Sequence, residues 1–345
     1  MKSNLSSSDI RIPYIDYARV FTAYLVILGH LLPGNDTAIR PYIYSFHVPF
    51  FFLVSGMLHK NLGYIAWKKY LKTLIVPFLF FNLLFFVLWP ILWKVGLWGG
   101  GPSDFFKEDT NIISIYLDYL VKVIKDLLKG TGGPDGPTWF LLALLWCKLA
   151  NDILCYRNLY PYAGIVLLVG VIGISFYPKA FLQIGNSLMV MPFFYVGFRY
   201  KKQIQQWCEK EKKYISIFLM LLCIPFTLLN ERVNTYSMNY GRLIFPCNVL
   251  IYYINAFAVS MGLLIICTKF QQSRMITLSA KALISILCVH GAFIYILRIY
   301  GHPYNFPFCA VVSCVILIIC VLCHQFMERY LPFAVGRRYN SGIKN

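Results

Sequence analysis

Apolar residues run along this chain in blocks of about 20, separated by short polar intervals, and a helix of that length spans the hydrocarbon of a bilayer. Ten blocks predict membrane-spanning helices at roughly 14–33, 42–58, 71–93, 138–157, 160–177, 180–199, 214–230, 243–268, 282–300 and 305–327. Pro49, Pro77, Pro192, Pro225 and Pro246 fall inside them, which a membrane bundle tolerates when neighbours satisfy the freed carbonyls. Asn82, Asn186, Asn248 and Asn255 read as interhelical hydrogen-bonders. The apolar pattern has no internal repeat or inverted symmetry, which weakens a transporter built from repeats without excluding it.

The longest polar interval lies between Trp93 and Thr138 and contains NIISIYLDYLVKVIKDLLKG. Here Ile112, Ile115, Tyr116, Tyr119, Val123, Ile124 and Leu127 recur at helical spacing. Lys122, Lys125, Asp126 and Lys129 share much of the other side. The pattern predicts an interfacial amphipathic helix over about 111–129, lying on the outer leaflet or capping the bundle. It reads as a structural lid or as a wall of an acceptor pocket. The interval is too short for a separate large soluble domain. The fold class is therefore an all-α integral membrane bundle of about ten helices, a single domain over 1–345, with one outer interfacial helix.

Composition agrees: 59% of the 345 residues are hydrophobic and 13% charged, where a soluble domain is about one quarter charged. A net charge of +18 suggests nucleic acid in a soluble protein, but here it follows from membrane orientation. With the N-terminus cytoplasmic, 21 basic residues fall at inner ends and loops and 10 outside, the latter among acids such as Asp104 and Asp118. This predicts a multi-pass plasma-membrane protein with both termini cytoplasmic, the tail starting near 329. The first block carries Asp16 and Arg19 and has no small-x-small cleavage site, so it reads as a retained span. Most of the eleven cysteines sit within apolar runs. Cys320 and Cys323 form a CxxC inside a continuous apolar stretch, so free buried thiols are expected and no metal site.

Ionisable groups within hydrocarbon are the candidate chemistry. In IDYARVFTAYLVILGH, eleven steps lead from Arg19 to His30, about three helical turns plus roughly 20°. The two side chains share one stripe, about 16 Å apart along the axis. Asp16, three residues before Arg19, can pair with it, and Thr22 falls on the same side. A satisfied ion pair plus an unrelated histidine is the plain alternative. The next block enters from outside, which puts His47 at the depth of His30 on an antiparallel helix. Imidazole is the usual general base near neutral pH. Ser55 and Gly56, with Pro49, would let this second helix bend and pack closely. His290 lies midway down the ninth block, where a polar group needs a reason. Trp139 opens the fourth block as an interfacial anchor or a glycan-stacking surface. His324 reads as interfacial, and His59 and His302 as loop residues with no special claim.

YIDYARVFTAYLVILGH followed by FHVPFFFLVSGML resembles the opening of the membrane acyltransferase-3 family, multi-pass O-acyltransferases of surface glycans. The family's arginine–ten residues–histidine pattern falls on Arg19 and His30, and its FHxPxFFxxSG pattern on His47 through Gly56. GPTWFLLALL resembles the family's Trp-Phe-Leu span at Trp139. LSAKALISILCVHGAF resembles its late NSLxIxxxH region at His290, departing where relatives more often show Gly-Lys-Asn-Ser-Leu. The chain is similar to stand-alone sugar O-acetylases.

The resemblance implies transfer of a short acyl group, usually acetyl, from cytoplasmic acetyl-CoA to a glycan hydroxyl, with no bound cofactor. Arg19, held by Asp16, would meet the donor's phosphates, which suit a permanently charged donor fork. His30 would act as general base or as a transient acyl carrier, with His47 orienting it or binding the acceptor. His290, Trp139 and Ser55 are candidate acceptor or lining residues. The implied partners are acyl-CoA, a glycan acceptor and the bilayer, with no nucleic acid. The rival class is a glycan or solute transporter or flippase with a histidine proton relay. Such a relay wants mid-membrane carboxylates, and this chain has none deeper than Asp16 and Asp152. Acceptor, acyl chain and oligomeric state are not encoded legibly.

Overall fold

A computed structural model describes residues 12–33, 39–97, 111–129, 133–159, 164, 181–232, 249–299, 301 and 305–337, and every regular element among them is helical. The helices are α1 (Pro13–Leu31), α2 (Ile39–Met57), α3 (Trp67–Tyr70), α4 (Val76–Lys94), α5 (Ile112–Lys129), α6 (Trp139–Tyr156) and α7 (Ile184–Arg199). They continue with α8 (Lys201–Lys210), α9 (Lys213–Arg232), α10 (Val249–Cys267), α11 (Arg274–Lys281), α12 (Leu283–Ile299) and α13 (Phe306–Tyr330). Pro13 starts α1 with a preset φ and no wasted N–H. The helix stops where Leu32 turns extended ahead of Pro33. Between α3 and α4, Leu71–Ile75 winds as a π-helix. The widening sits where Pro77 has no N–H to offer the Thr73 carbonyl and its ring would crowd it.

Among the described residues, four helical stretches are long and apolar enough to cross a membrane: Trp67–Lys94, Gly136–Tyr156, Leu250–Cys267 and Phe306–Tyr330. A fifth follows if α11 and α12, bent by 75° at their junction, count as one. The chain is thus a multi-pass membrane protein, with four to five of the ten expected spans meeting this criterion among the described residues. The expected spans 14–33, 42–58, 180–199 and 214–230 are helical as α1, α2, α7 and α9 but too short or too polar to qualify. For α1 and α2 the reason is position. Both lie inside the bundle, packed on other helices and on a cavity, so they carry polar groups where a lipid-facing helix would not. The expected span 160–177, except Gly164, and the start of 243–268 lie outside the described residues.

The core is centred on α2, which packs against α7, α10 and α1, while α1 also packs against α12 and α13. Its closest approach is to α7. A Cβ on Gly56 would run into the Phe194 carbonyl, and one on Gly197 into the Leu53 carbonyl. The small residue foreseen on α2 therefore meets a matching glycine, and backbones touch where side chains usually intervene. A second tie joins α4 to the start of α6. Asn82 donates to Thr138 Oγ1 (2.9 Å) and accepts from the Asp135 N–H (3.3 Å), and Trp89 Nε1 donates to the Pro134 carbonyl (2.8 Å). Asn82 is thus interhelical as expected, whereas Asn186 bonds to nearby Gln183. Asn248 lies outside the described residues.

Helix α5 has the expected bounds and docks on α4. Ile115 and Tyr119 are buried, Tyr119 stacks on Phe86 at 5.3 Å between centroids, and Tyr116 donates to the Val87 carbonyl (2.7 Å). Ile113, Leu117, Leu120, Val121, Ile124 and Leu128 remain exposed. Ile124 was expected on the packed side. The helix is apolar on two sides, one packed on α4 and one left exposed, rather than on one.

Two tests follow from this packing. Gly56→Ala should cost about 1–3 kcal/mol by overpacking, read as a lowered thermal midpoint in detergent or nanodiscs, while Gly136→Ala, in open space and without a positive φ, should not reproduce a clash. Asp135, just ahead of the Gly136–Tyr156 span, is buried with Oδ2 unbonded, and burial pushes its carboxyl well above the ordinary carboxylate range. The folded state then holds this proton more tightly than the unfolded chain, so the contribution is full below the unfolded carboxylate pKa and is lost as pH rises through the folded one. Asp135→Asn should flatten that decline in a thermal-midpoint series against pH; an unchanged slope would show that the carboxyl is not its source.

Candidate active site

One cavity of about 740 Å³ lies between α1, α2, α6 and α12, within the usual range for small-molecule and cofactor sites. Helix α1 lines it with Arg19, Ala23, Val26 and His30, steps of four, three and four that keep one face turned inward. The Arg19–His30 stripe is therefore a wall of the cavity over its whole length. Thr22 is not part of it: fully buried, it donates back to the Ala18 carbonyl (2.8 Å). Asp16 is also absent from the wall. It is buried and pairs with Arg19 Nη1 at 3.3 Å, so it touches the cavity's contents only through that guanidinium.

At the His30 end three imidazoles meet. His30 and His290 lie 5.4 Å apart by ring centroids, and Tyr44 stands between His30 and His47. The Tyr44 hydroxyl is 2.9 Å from His30 Nδ1, and its ring centroid is 5.1 Å from that of His47. His47 Nδ1 lies 2.9 Å from the Ile43 carbonyl and His290 Nδ1 lies 2.7 Å from that of Ile286. A carbonyl only accepts, so each Nδ1 carries the proton and each Nε2 offers a lone pair. His290 is buried and its Nε2 has no hydrogen-bond partner among the described residues. For His30 the roles depend on whether Tyr44 donates or accepts. His290 is thus as close to the histidine cluster as any residue of the first two helices. Tyr44 was not singled out in the sequence, though its place one turn before His47 puts it on the same face.

At the Arg19 end the wall carries Lys60, Lys69 and Lys148, with His59 and Tyr70. His59, expected to be a plain loop residue, is buried and its Nε2 meets Asp152 Oδ1 at 2.8 Å. Asp152 Oδ2 accepts from the Tyr70 hydroxyl (2.6 Å) and from the Ala66 N–H (3.2 Å). One carboxylate thus ties α6 to α3 and to the segment that leaves α2. Lys148, one turn earlier on α6, places its ammonium 5.6 Å from the Tyr70 ring centroid. The i, i+4 spacing of Lys148 and Asp152 was the overlooked signal; their common partner comes from a distant helix. Among the described wall residues there are five cations (Arg19, Lys60, Lys69, Lys148 and Arg298) and no carboxylate.

Ser55 and Trp139 both line the cavity. His324 does not: it is buried and its Nδ1 is 2.8 Å from the Ser285 hydroxyl. His302 lies outside the described residues. No group of three or more potential metal ligands occurs among the described residues.

The acyltransferase-3 family model, described as an acyltransferase domain, matches residues 12–325. The chain belongs to this family. No curated protein and no solved structure shows significant similarity to it. The match makes this membrane protein an acyltransferase and runs over every helix that walls the cavity. The acyltransferase-3 positions quoted for the resemblance, Arg19, His30, His47, Ser55, Trp139 and His290, face a single space although they come from four helices.

The Asp152 tie makes a quantitative expectation. Asp152→Asn removes charge-assisted acceptance from Tyr70, His59 and the Ala66 N–H, and should lower stability by about 1–3 kcal/mol. Thermal unfolding of purified protein measures it, and Tyr70→Phe, which deletes one of those donors, should give a smaller loss.

Proposed function

We propose that this acyltransferase moves a short acyl group, acetyl first, from cytoplasmic acyl-CoA to a hydroxyl of a cell-surface polysaccharide or its lipid-linked precursor. One observation carries the reading: a cationic end and a histidine end belong to one continuous cavity. In this reading the protein crosses the plasma membrane about ten times with both termini in the cytoplasm, so the cationic end opens inward. Arg19, Lys69 and Lys148 hold the phosphates of the donor, and the acyl-bearing arm runs along α1 to the histidines. Asp16 keeps Arg19 in place. No metal or resident cofactor takes part.

At the histidine end an imidazole Nε2 takes the proton of the acceptor hydroxyl as its oxygen attacks the thioester carbonyl. The C–O bond forms, the C–S bond breaks, and the imidazolium proton passes to the departing thiolate. His30 does this directly, or holds the acyl group briefly as a nucleophile and passes it on. His47 and His290, with Nδ1 fixed by backbone carbonyls, orient the acceptor hydroxyl or share its proton. Trp139 offers a face for a sugar ring, and Ser55 a hydroxyl midway along the wall.

Radiolabel transfer from acetyl-CoA, in membranes holding wild type, His30→Ala or His290→Ala protein, tests this. Loss of a general base should lower transfer by roughly 100-fold or more. Undiminished transfer in both variants would remove the histidines from the chemistry. A wild type that transfers no short acyl group yet moves a glycan across the membrane would make the protein a transporter.

A further inference from the structure

Resting on the acyl-transfer reading, the geometry points to an acceptor that is itself anionic: we infer that a carboxylate or phosphate on the glycan docks against Arg298 at the histidine end of the cavity. The inner cations have an assigned partner in the donor's phosphates. Arg298 does not, because it stands at the opposite end. Its Nη2 donates to the His30 carbonyl (2.9 Å) and its Cζ lies 5.8 Å from the Tyr295 ring centroid. These two contacts fix the plane of the guanidinium beside His30. Its remaining N–H groups have no protein acceptor among the described residues. A fixed fork with free donors matches a carboxylate or a phosphate in two-bond geometry.

A second guanidinium reinforces the site. Arg40 lies over the Tyr44 ring at 5.3 Å, and Tyr44 reaches His30 Nδ1 at 2.9 Å, so one guanidinium is a side chain away from this imidazole while the other bonds its backbone carbonyl. No carboxylate lines the cavity among the described residues to neutralise either. Arg298 is also solvent-exposed, at the rim rather than in the dry interior. That position suits recognition of a group carried on the acceptor and not stabilisation of the reacting carbonyl, which needs donors shielded from water. Trp139 and Tyr295, also on the wall, give aromatic faces for the sugar that bears the charge. The anion fixes which hydroxyl of that sugar meets Nε2.

The test uses the full-length protein in nanodiscs and three probes: a galacturonate-containing oligosaccharide, the same oligosaccharide reduced at its carboxyls, and a prenyl-diphosphate-linked neutral sugar. Binding is measured by thermophoresis for wild type, Arg298→Gln and Arg298→Lys. The expected result is at least about tenfold tighter binding of a charged probe over the neutral one. Arg298→Gln should abolish that ratio and Arg298→Lys should keep part of it. Preference for the galacturonate probe makes the anion a sugar carboxylate, and preference for the diphosphate probe makes it the lipid-linker phosphate. Equal affinity for charged and neutral probes, no binding of either charged probe, or an unchanged ratio in Arg298→Gln overturns the inference. CoA binding, followed alongside, reports the inner end separately: its loss in wild type would fault the donor reading while the acceptor ratio is scored on its own. Retained CoA binding by Arg298→Gln also excludes misfolding as the cause of a lost ratio.

Discussion

A charged or strongly polar side chain inside a hydrophobic bundle is tolerable only where it meets a partner or faces water, and the arrangement of this protein follows from that constraint. Helix α1 cannot turn its Arg19–His30 stripe to lipid, so the other helices leave a cavity along it. Three polar groups off the cavity wall are held by bonds to protein instead. Thr22 bonds back to its own helix, Asp16 meets Arg19, and Asp152 collects three donors. Arrangement by partner explains why the two most interior helices are also the ones too polar to pass as membrane spans.

The same constraint gives the cavity two unlike ends. Lysines at one end are set around a rigid carboxylate tie, which spaces them without neutralising the wall. At the other end His47 and His290 have Nδ1–H pinned to backbone carbonyls, which turns their basic nitrogens rather than N–H groups toward free space. The proposed acyl transfer uses this asymmetry, because a charged donor would be held apart from the point where an acceptor hydroxyl loses its proton. The glycine contact between α2 and α7 keeps the wall rigid enough to hold that geometry, since no side chain separates the two backbones.

Much of this could be seen in the sequence, because helical spacing is a local property. Eleven steps from Arg19 to His30 fix a shared face whatever surrounds the helix, and antiparallel connection sets His47 at the same depth. The acyltransferase-3 motifs, the bounds of α5 and the interhelical role of Asn82 were legible for the same reason. Which blocks face other helices was not, since an apolar block reads alike whether it faces lipid or protein. Only the tertiary structure decided what long-range packing controls. It brought Asp152 to His59 and Tyr70, placed Tyr44 between two imidazoles, and carried His290 and Arg298 from a distant helix to His30. Those pairings join residues up to 268 positions apart. No periodicity along one helix encodes them; they exist because separate helices must bury their polar groups against one another.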